Sequence, residues 1–191
     1  MERIRADICI IGAGSGGLSV AAGAAQMGAK VVLIEGAEMG GDCLNAGCVP
    51  SKALIAAAKT AHIQRNGGLG VAGHDPSIDF AAVKDAVAGT IARIAPVDSQ
   101  ERFEGFGITV IRDWARFLSP HEVAAGGRLI RARRFVIATG SRPIVPAVPG
   151  IDSIPVLTNE TIFAQRLRPD HLLILGGGPI GIEMAQAHRR L

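Results

Sequence analysis

Cys43 and Cys48 are separated by four residues in the stretch Gly40-Gly41-Asp42-Cys43-Leu44-Asn45-Ala46-Gly47-Cys48-Val49-Pro50-Ser51-Lys52. Two thiols at this spacing can store an electron pair as a disulfide, provided the chain folds back. A disulfide needs Cα atoms roughly 4.4–6.8 Å apart, whereas five residues advance about 7.5 Å in a helix and more than about 15 Å in a strand. Asn45 and Gly47 are residue types that permit the required bend. Pro50 suits the first turn of a following helix, so Cys48 stands at a helix start, where the dipole favours a thiolate. On residue type alone the pair reads equally as inert and buried. Zinc fits poorly, because no second pair supplies the remaining ligands. Cys9, inside an apolar run, reads as a small core hydrophobe.

The elements before the cysteines add a second chemistry. Ala6 to Ile11 is a buried parallel strand, Gly16 to Met27 a helix of small residues ended by Gly28, and Lys30 to Ile34 a second buried strand. Gly12-Ala13-Gly14-Ser15-Gly16-Gly17 joins the first strand to the helix. Gly12, Gly14 and Gly17 permit a tight turn and close approach of a pyrophosphate to the positive helix end. Glu35 closes the second strand and is placed to accept hydrogen bonds from a ribose. Strand, loop, helix, strand and acid together specify dinucleotide binding.

Further along, Ser51 to about Gln64 is a helix, Asn66 to Pro76 a glycine-rich loop, and Asp79 to about Phe103 a helix that Pro96 bends or restarts. Ile108–Arg112, Trp114–Phe117, Glu122–Ala124 and Arg128–Ile130 have the length of strands in a meander, and Arg134–Ala138 is another apolar strand. Pro143, Pro146, Pro149 and Pro155 mark a connector. After it, His171–Leu175 reads as a strand leading into Gly176-Gly177-Gly178-Pro179-Ile180-Gly181 and a last helix. The fold class is therefore α/β. A Rossmann-like domain with a parallel sheet and a small antiparallel meander spans 1–149, and the start of a second Rossmann-like domain spans 150–191. The next strand and acid of that second unit are not in the sequence, so the chain reads as the N-terminal part of a longer protein.

Composition narrows the function classes. With 48% hydrophobic and 19% charged residues the 191-residue chain buries a real core. The net charge of +3 is mild. Arg131, Arg133, Arg134, Arg189 and Arg190 lack interleaved aromatics and read as solvated surface, not as a nucleic-acid site. The N-terminus has no signal-peptide pattern, and no apolar run reaches the roughly 18 residues of a membrane span. A cytoplasmic, reducing compartment is expected, with neither membrane nor nucleic acid as partner.

The segment Gly40 to Lys52 resembles the active-site signature of the class I pyridine nucleotide–disulfide oxidoreductases, the family of lipoamide dehydrogenase, mercuric reductase and glutathione reductase. The resemblance extends over the whole chain, including Ala138-Thr139-Gly140-Ser141 and the second glycine loop. It implies FAD on Gly12, Gly14, Gly17 and Gly41, with Glu35 at the adenosine ribose. It implies Ala115 at the adenine, and Thr139 and Gly140 in the turn that returns to FAD. Cys48 would be the flavin-proximal, charge-transfer sulfur and Cys43 the exchange sulfur. Lys52 would lie by the reactive flavin nitrogen. Gly176, Gly178 and Gly181 would serve NAD or NADP, and Glu183 would pair with Lys52 across the boundary between the two domains.

The implied activity is electron transfer between NAD(P)H and a disulfide, dithiol or Hg(II) substrate, through FAD and a redox-active Cys43–Cys48 disulfide. The family works as a homodimer whose C-terminal domain supplies a histidine base. That domain is absent here, and His62, His74, His121, His171 and His188 do not match the base. The alternative is a flavin-binding fragment without turnover of its own. Asp42 departs from the threonine commonest at its position, and Val49-Pro50-Ser51-Lys52 is closer to lipoamide dehydrogenase and mercuric reductase than to glutathione reductase.

Overall fold

The computed structural model describes residues 2–191. Two compact units emerge, each built from two stretches of chain. One runs to Asn45 and resumes from Ile94 to Ile144; the other comprises Ala46–Arg93 and Val145–Leu191.

The first unit is a six-stranded sheet in the order β3-β2-β1-β6-β5-β4. Its strands are β1 (Glu2–Ile11), β2 (Val31–Glu35), β3 (Thr109–Arg112), β4 (Arg116–Ser119), β5 (Glu122–Ala125) and β6 (Arg128–Ile137). β2, β1 and β6 run parallel, with Ile8 opposite Val31 and Ile11 opposite both Ile34 and Ile137. β3 joins the parallel edge through the pair Glu35–Arg112. The segment 108–112 is thus not part of the meander. The preceding helix, α5 (Gln100–Gly105), returns the chain to the start of the sheet, as a crossover must before a parallel strand. Only the β4–β5 and β5–β6 pairings are antiparallel.

The two strands expected at Arg128–Ile130 and Arg134–Ala138 are one. Arg131, Arg133 and Arg134 are exposed while Ala132 is buried and pairs with Ala6. The basic cluster is therefore mostly the solvent face of a continuous strand, and its polarity hid that strand in the sequence.

Both sheet faces are covered. Cys9, Val32, Ile34, Ile111, Val123 and Ile130 pack on one side. On the other, Ile10, Leu33 and Val110 meet Leu18 and Ala21 of α1 (Ser15–Gln26) together with Phe103 of α5. Each of these side chains follows the two-residue alternation of a strand or the helical spacing of a buried stripe. The helix expected from Asp79 to about Phe103 is interrupted around Pro96 and restarts at Gln100. Pro96 follows α4 (Phe80–Ile94) within a 3₁₀ turn at Ala95–Asp98, and Ser99 then caps α5 by accepting from the Arg102 N–H at 3.2 Å.

The second unit is helical. α3 (Cys48–Asn66) begins three residues earlier than the sequence reading placed it. It packs against α7 (Pro179–Arg190), with Leu54, Ala58, Ala61, Phe80, Val87, Met184 and Ala187 forming a core. α4 starts where Asp79 accepts from the Ala82 N–H at 3.0 Å, a side-chain N-cap. α6 (Asn159–Ile162) is a single turn. His171–Leu175 is not a strand here. No strand of this unit lies beside it among the described residues, and an apolar run becomes a strand only where a neighbour completes its ladder.

Candidate active site

In the first unit the glycine loop is built by backbone contact. A Cβ on Gly17 would overlap the carbonyl oxygen of Gly12, and one on Gly12 would overlap the carbonyl of Ala138. Gly12 itself has φ +106°. The loop thus closes on the end of β6, where the Ala138 N–H donates to the Ile11 carbonyl at 2.8 Å, and it brings the Thr139 backbone nitrogen beside Gly12, with Gly140 next in the chain. Gly14 is the N-cap of α1 and offers no side-chain hydrogen bond, so the first-turn N–H groups are left to an incoming acceptor.

Glu35 closes over this loop. Its Oε2 accepts from the Ala13 N–H, and its Oε1 from the Ala37 N–H at 2.7 Å. A carboxylate has about four acceptor positions, so lone pairs remain for a ribose hydroxyl.

The segment leading to Cys43 lies directly on the same loop. The Gly40 N–H donates to the Ala13 carbonyl at 2.9 Å, and Gly14 and Gly40 form a bridge. A Cβ on Gly41 would sit 2.7 Å from the Gly14 Cα. Two residues on, Cys43 occupies the short helix α2 (Gly41–Asn45) and is half-buried. Asn45 does not bend the chain through a permissive backbone. It is the last residue of α2, and its side-chain amide donates to the Gly41 and Met39 carbonyls at 2.9 and 3.1 Å, clasping the turn shut.

Three neighbours of this region were not singled out from sequence. Arg112 donates to the Ala37 carbonyl and lies 3.8 Å from Glu38, bracing the loop after Glu35. The indole of Trp114 lies against Gly36 and is 70% exposed, a large apolar surface left open beside the half-buried Ala115. Asp113 accepts from the Gly126 and Trp114 N–H groups, and these bonds hold its carboxyl below the usual range. The alternation Arg112-Asp113-Trp114 at a strand end was the only available hint.

In the second unit Cys48 is the first residue of α3 and is exposed. The buried Ser51 donates to the Cys48 carbonyl at 3.2 Å. One turn on, Lys52 Nζ lies 2.7 Å from both carboxylate oxygens of Glu183 on α7. The pair expected from the resemblance is formed, and both residues belong to this one unit. It is partly exposed, so its value lies in fixing the ammonium and not in stability.

The second glycine loop repeats the first. Gly176 has φ +105°, a Cβ on Gly181 would overlap the Gly176 carbonyl oxygen, and Gly178 is an N-cap without a side-chain bond. The same glycine spacing therefore yields the same phosphate-ready turn twice. Cys9 is fully buried, and burial pushes its thiol up to about 12, so it takes no part in thiol chemistry. No helix is long and apolar enough to cross a membrane among the described residues.

Comparison with known proteins agrees with this geometry. The family model described as pyridine nucleotide-disulphide oxidoreductase matches residues 6–191. A mercuric reductase of Shewanella putrefaciens is 37% identical over 193 residues, covering 96% of this chain and 34% of that protein. A dihydrolipoyl dehydrogenase of Thermus scotoductus is 34% identical, covering 97% of the chain and 40% of the relative. Among solved structures, the HOCl-induced flavoprotein disulfide reductase RclA from Escherichia coli, as a Cu(II) complex, superposes with a TM-score of 0.81. It is 28% identical, covering 96% of this chain and 39% of that one. The chain thus spans between a third and two fifths of the length of these relatives.

Proposed function

This chain belongs to the pyridine nucleotide–disulphide oxidoreductases, and on that premise we propose that it carries the flavin- and thiol-bearing part of an enzyme moving electrons between NAD(P)H and a disulfide, dithiol or Hg(II) substrate. The observation that carries this reading is the backbone approach of Gly41 to Gly14, which seats the Cys43 helix on the dinucleotide loop. When bound, FAD would supply what no side chain can, acceptance of a hydride from NAD(P)H.

The chain's own residues do the rest. The open first turn of α1 and the glycines Gly12, Gly14, Gly17 and Gly41 receive the pyrophosphate. Glu35 accepts from the adenosine ribose, Ala115 meets the adenine, and Thr139 and Gly140 close the far side. Lys52, held by Glu183, stabilises negative charge at the reactive end. Gly176, Gly178 and Gly181 belong to an NAD(P)H-binding domain that begins near residue 150.

One electron pair and two protons convert the Cys43–Cys48 disulfide to two thiols. The Cys43 thiolate attacks one sulfur of an external disulfide, and the displaced thiolate takes up the proton that Cys43 lost. The Cys48 thiolate then attacks Cys43 in the mixed disulfide. That step restores the internal bond and releases the second thiol. The complete protein is a cytoplasmic homodimer on this reading.

Replacing Cys43 with serine in the complete protein tests the relay. Flavin binding and flavin reduction persist, while reduction of an external disulfide is lost. Disulfide reduction at the parent rate in that variant would overturn the relay. A second reading is a flavin-binding fragment without turnover of its own, and the absence of disulfide reduction by the FAD-loaded chain would favour it.

A further inference from the structure

Between the two cysteines, Ala46 is held by a residue from far along the chain. Asn159 Nδ2 donates to the Ala46 carbonyl at 3.3 Å. Ala46 immediately precedes Gly47, the N-cap of α3, and Gly47 brings no side-chain cap to the helix that Cys48 opens. The start of α3 therefore lacks the usual local anchor.

Asn159 is in turn immobilised. It opens the single-turn α6, too short to persist on its own. Thr158 and Thr161 close a reciprocal capping box on that turn. The Ile162 carbonyl accepts from the buried Lys84 Nζ at 2.9 Å, and Arg166 makes a two-pronged pair with Asp85. Lys84 and Asp85 are neighbours on α4. α4 thus grips the segment 162–166, and the rigid arm ends in one amide donor aimed at the peptide before Gly47.

We propose that Asn159 is a positioning residue for Cys48, fixing the Ala46–Gly47 peptide and so the direction in which the Cys48 thiol meets the first turn of α3. This rests on the reading of Cys48 as a redox sulfur. A thiolate at a helix start is stabilised only while it faces the first-turn N–H groups. Cys48 is already exposed, so loosening the turn adds little access, and a change in its labelling reads the direction of the sulfur against α3.

The three cysteines of the chain provide the test. Iodoacetamide labelling at neutral pH, resolved by peptide mass spectrometry, reads Cys48 as the reporter, Cys43 as the reference and Cys9 as the sentinel of unfolding. Asn159→Leu keeps the side-chain size without the donor, and Asn159→Asp keeps the shape but turns a carboxylate toward the carbonyl. Cys48 labelling falls about fivefold in Asn159→Leu, the worth of one oriented hydrogen bond, and at least as far in Asn159→Asp. Cys43 stays within twofold of the parent and Cys9 stays unlabelled. Cys48 labelling unchanged against Cys43 in both variants overturns the Asn159 role while leaving the relay standing. Should both variants expose Cys9, amide exchange at Gly47 and Cys48 decides in Asn159→Ser. Faster exchange there, with the rest of α3 protected, supports the role, and parent-like exchange overturns it. Failure of the relay itself is read separately, from Cys43→Ser.

Discussion

Gly41 stands so close to Gly14 that a Cβ on it would come within 2.7 Å of the Gly14 Cα. The contact ties the chain leading to Cys43 to the N-cap of α1 without any side chain between them. Gly41 also has φ +57°, a region that costs a β-branched residue about 1–2 kcal/mol before any overlap is counted. Gly41→Val should therefore lower FAD affinity at least tenfold and reduce stability by about 2 kcal/mol or more. Gly23→Ala is the control, since nothing lies within 4 Å of its added Cβ. It should be neutral or stabilising by up to about 1 kcal/mol. Equilibrium dialysis with FAD checks both, and equal affinities would refute the role of the contact.

The two glycine loops should separate by ligand. Gly17→Ala and Gly181→Ala create the same overlap with the carbonyl of the first glycine in their own loops. Gly17→Ala should abolish flavin retention on a desalting column, and Gly181→Ala should leave it intact while weakening NAD(P)H binding in the complete protein. Loss of flavin from both variants alike would contradict separate ligands.

Lys52 and Glu183 should matter for electrons more than for folding. Glu183→Gln is expected to lower stability by less than about 1 kcal/mol, as for other partly exposed pairs. In the complete protein it should slow flavin reduction by NAD(P)H about tenfold or more, because the ammonium proposed to stabilise developing charge would lose its orientation. Stopped-flow reduction measures this, and a parent-like rate would refute it.

Lys84 gives the fold a pH signature. Burial pushes its ammonium down from 10.5 to about 8. Between those values the unfolded chain carries a proton that the folded chain has released, so this group's contribution to stability rises with pH through that window. Below pH 8 both states are protonated, and the cost of burying the charge is fully present. The unfolding free energy of the parent relative to Lys84→Met should therefore climb from pH 8 to 10.5. Urea unfolding at stepped pH tests this, and a flat difference would contradict it.

How much of this was legible in the sequence depended on the range of the contacts involved. The glycine loops were legible because their sterics are local: Gly12 meets Gly17, and Gly176 meets Gly181, each five residues apart. Residues 108–112 joined the wrong part of the sheet in the sequence reading, because a strand's neighbour is not encoded in its own pattern. β6 was split because exposed arginines alternate with buried Ala132. His171–Leu175 has strand composition, but composition does not supply the neighbour that a strand needs. Arg112, Trp114, Lys84 and Asn159 act on partners 75 to 113 residues away, namely Ala37, Gly36, Ile162 and Ala46. No local spacing announces such contacts. Lys52 and Glu183 are more distant still, 131 residues apart, and only the family resemblance joined them.

Cys43 and Cys48, as proposed, form a dithiol coupled to a flavin on the same chain. Anaerobic dithionite titration of the FAD-loaded, oxidised chain tests it most directly. The parent should take up one electron pair for the flavin and a second that converts the disulfide to two iodoacetamide-reactive thiols at Cys43 and Cys48, with Cys9 silent. Cys43→Ser should take up only the flavin's pair. Uptake of a single pair by the parent, with no new reactive thiol, would contradict the account.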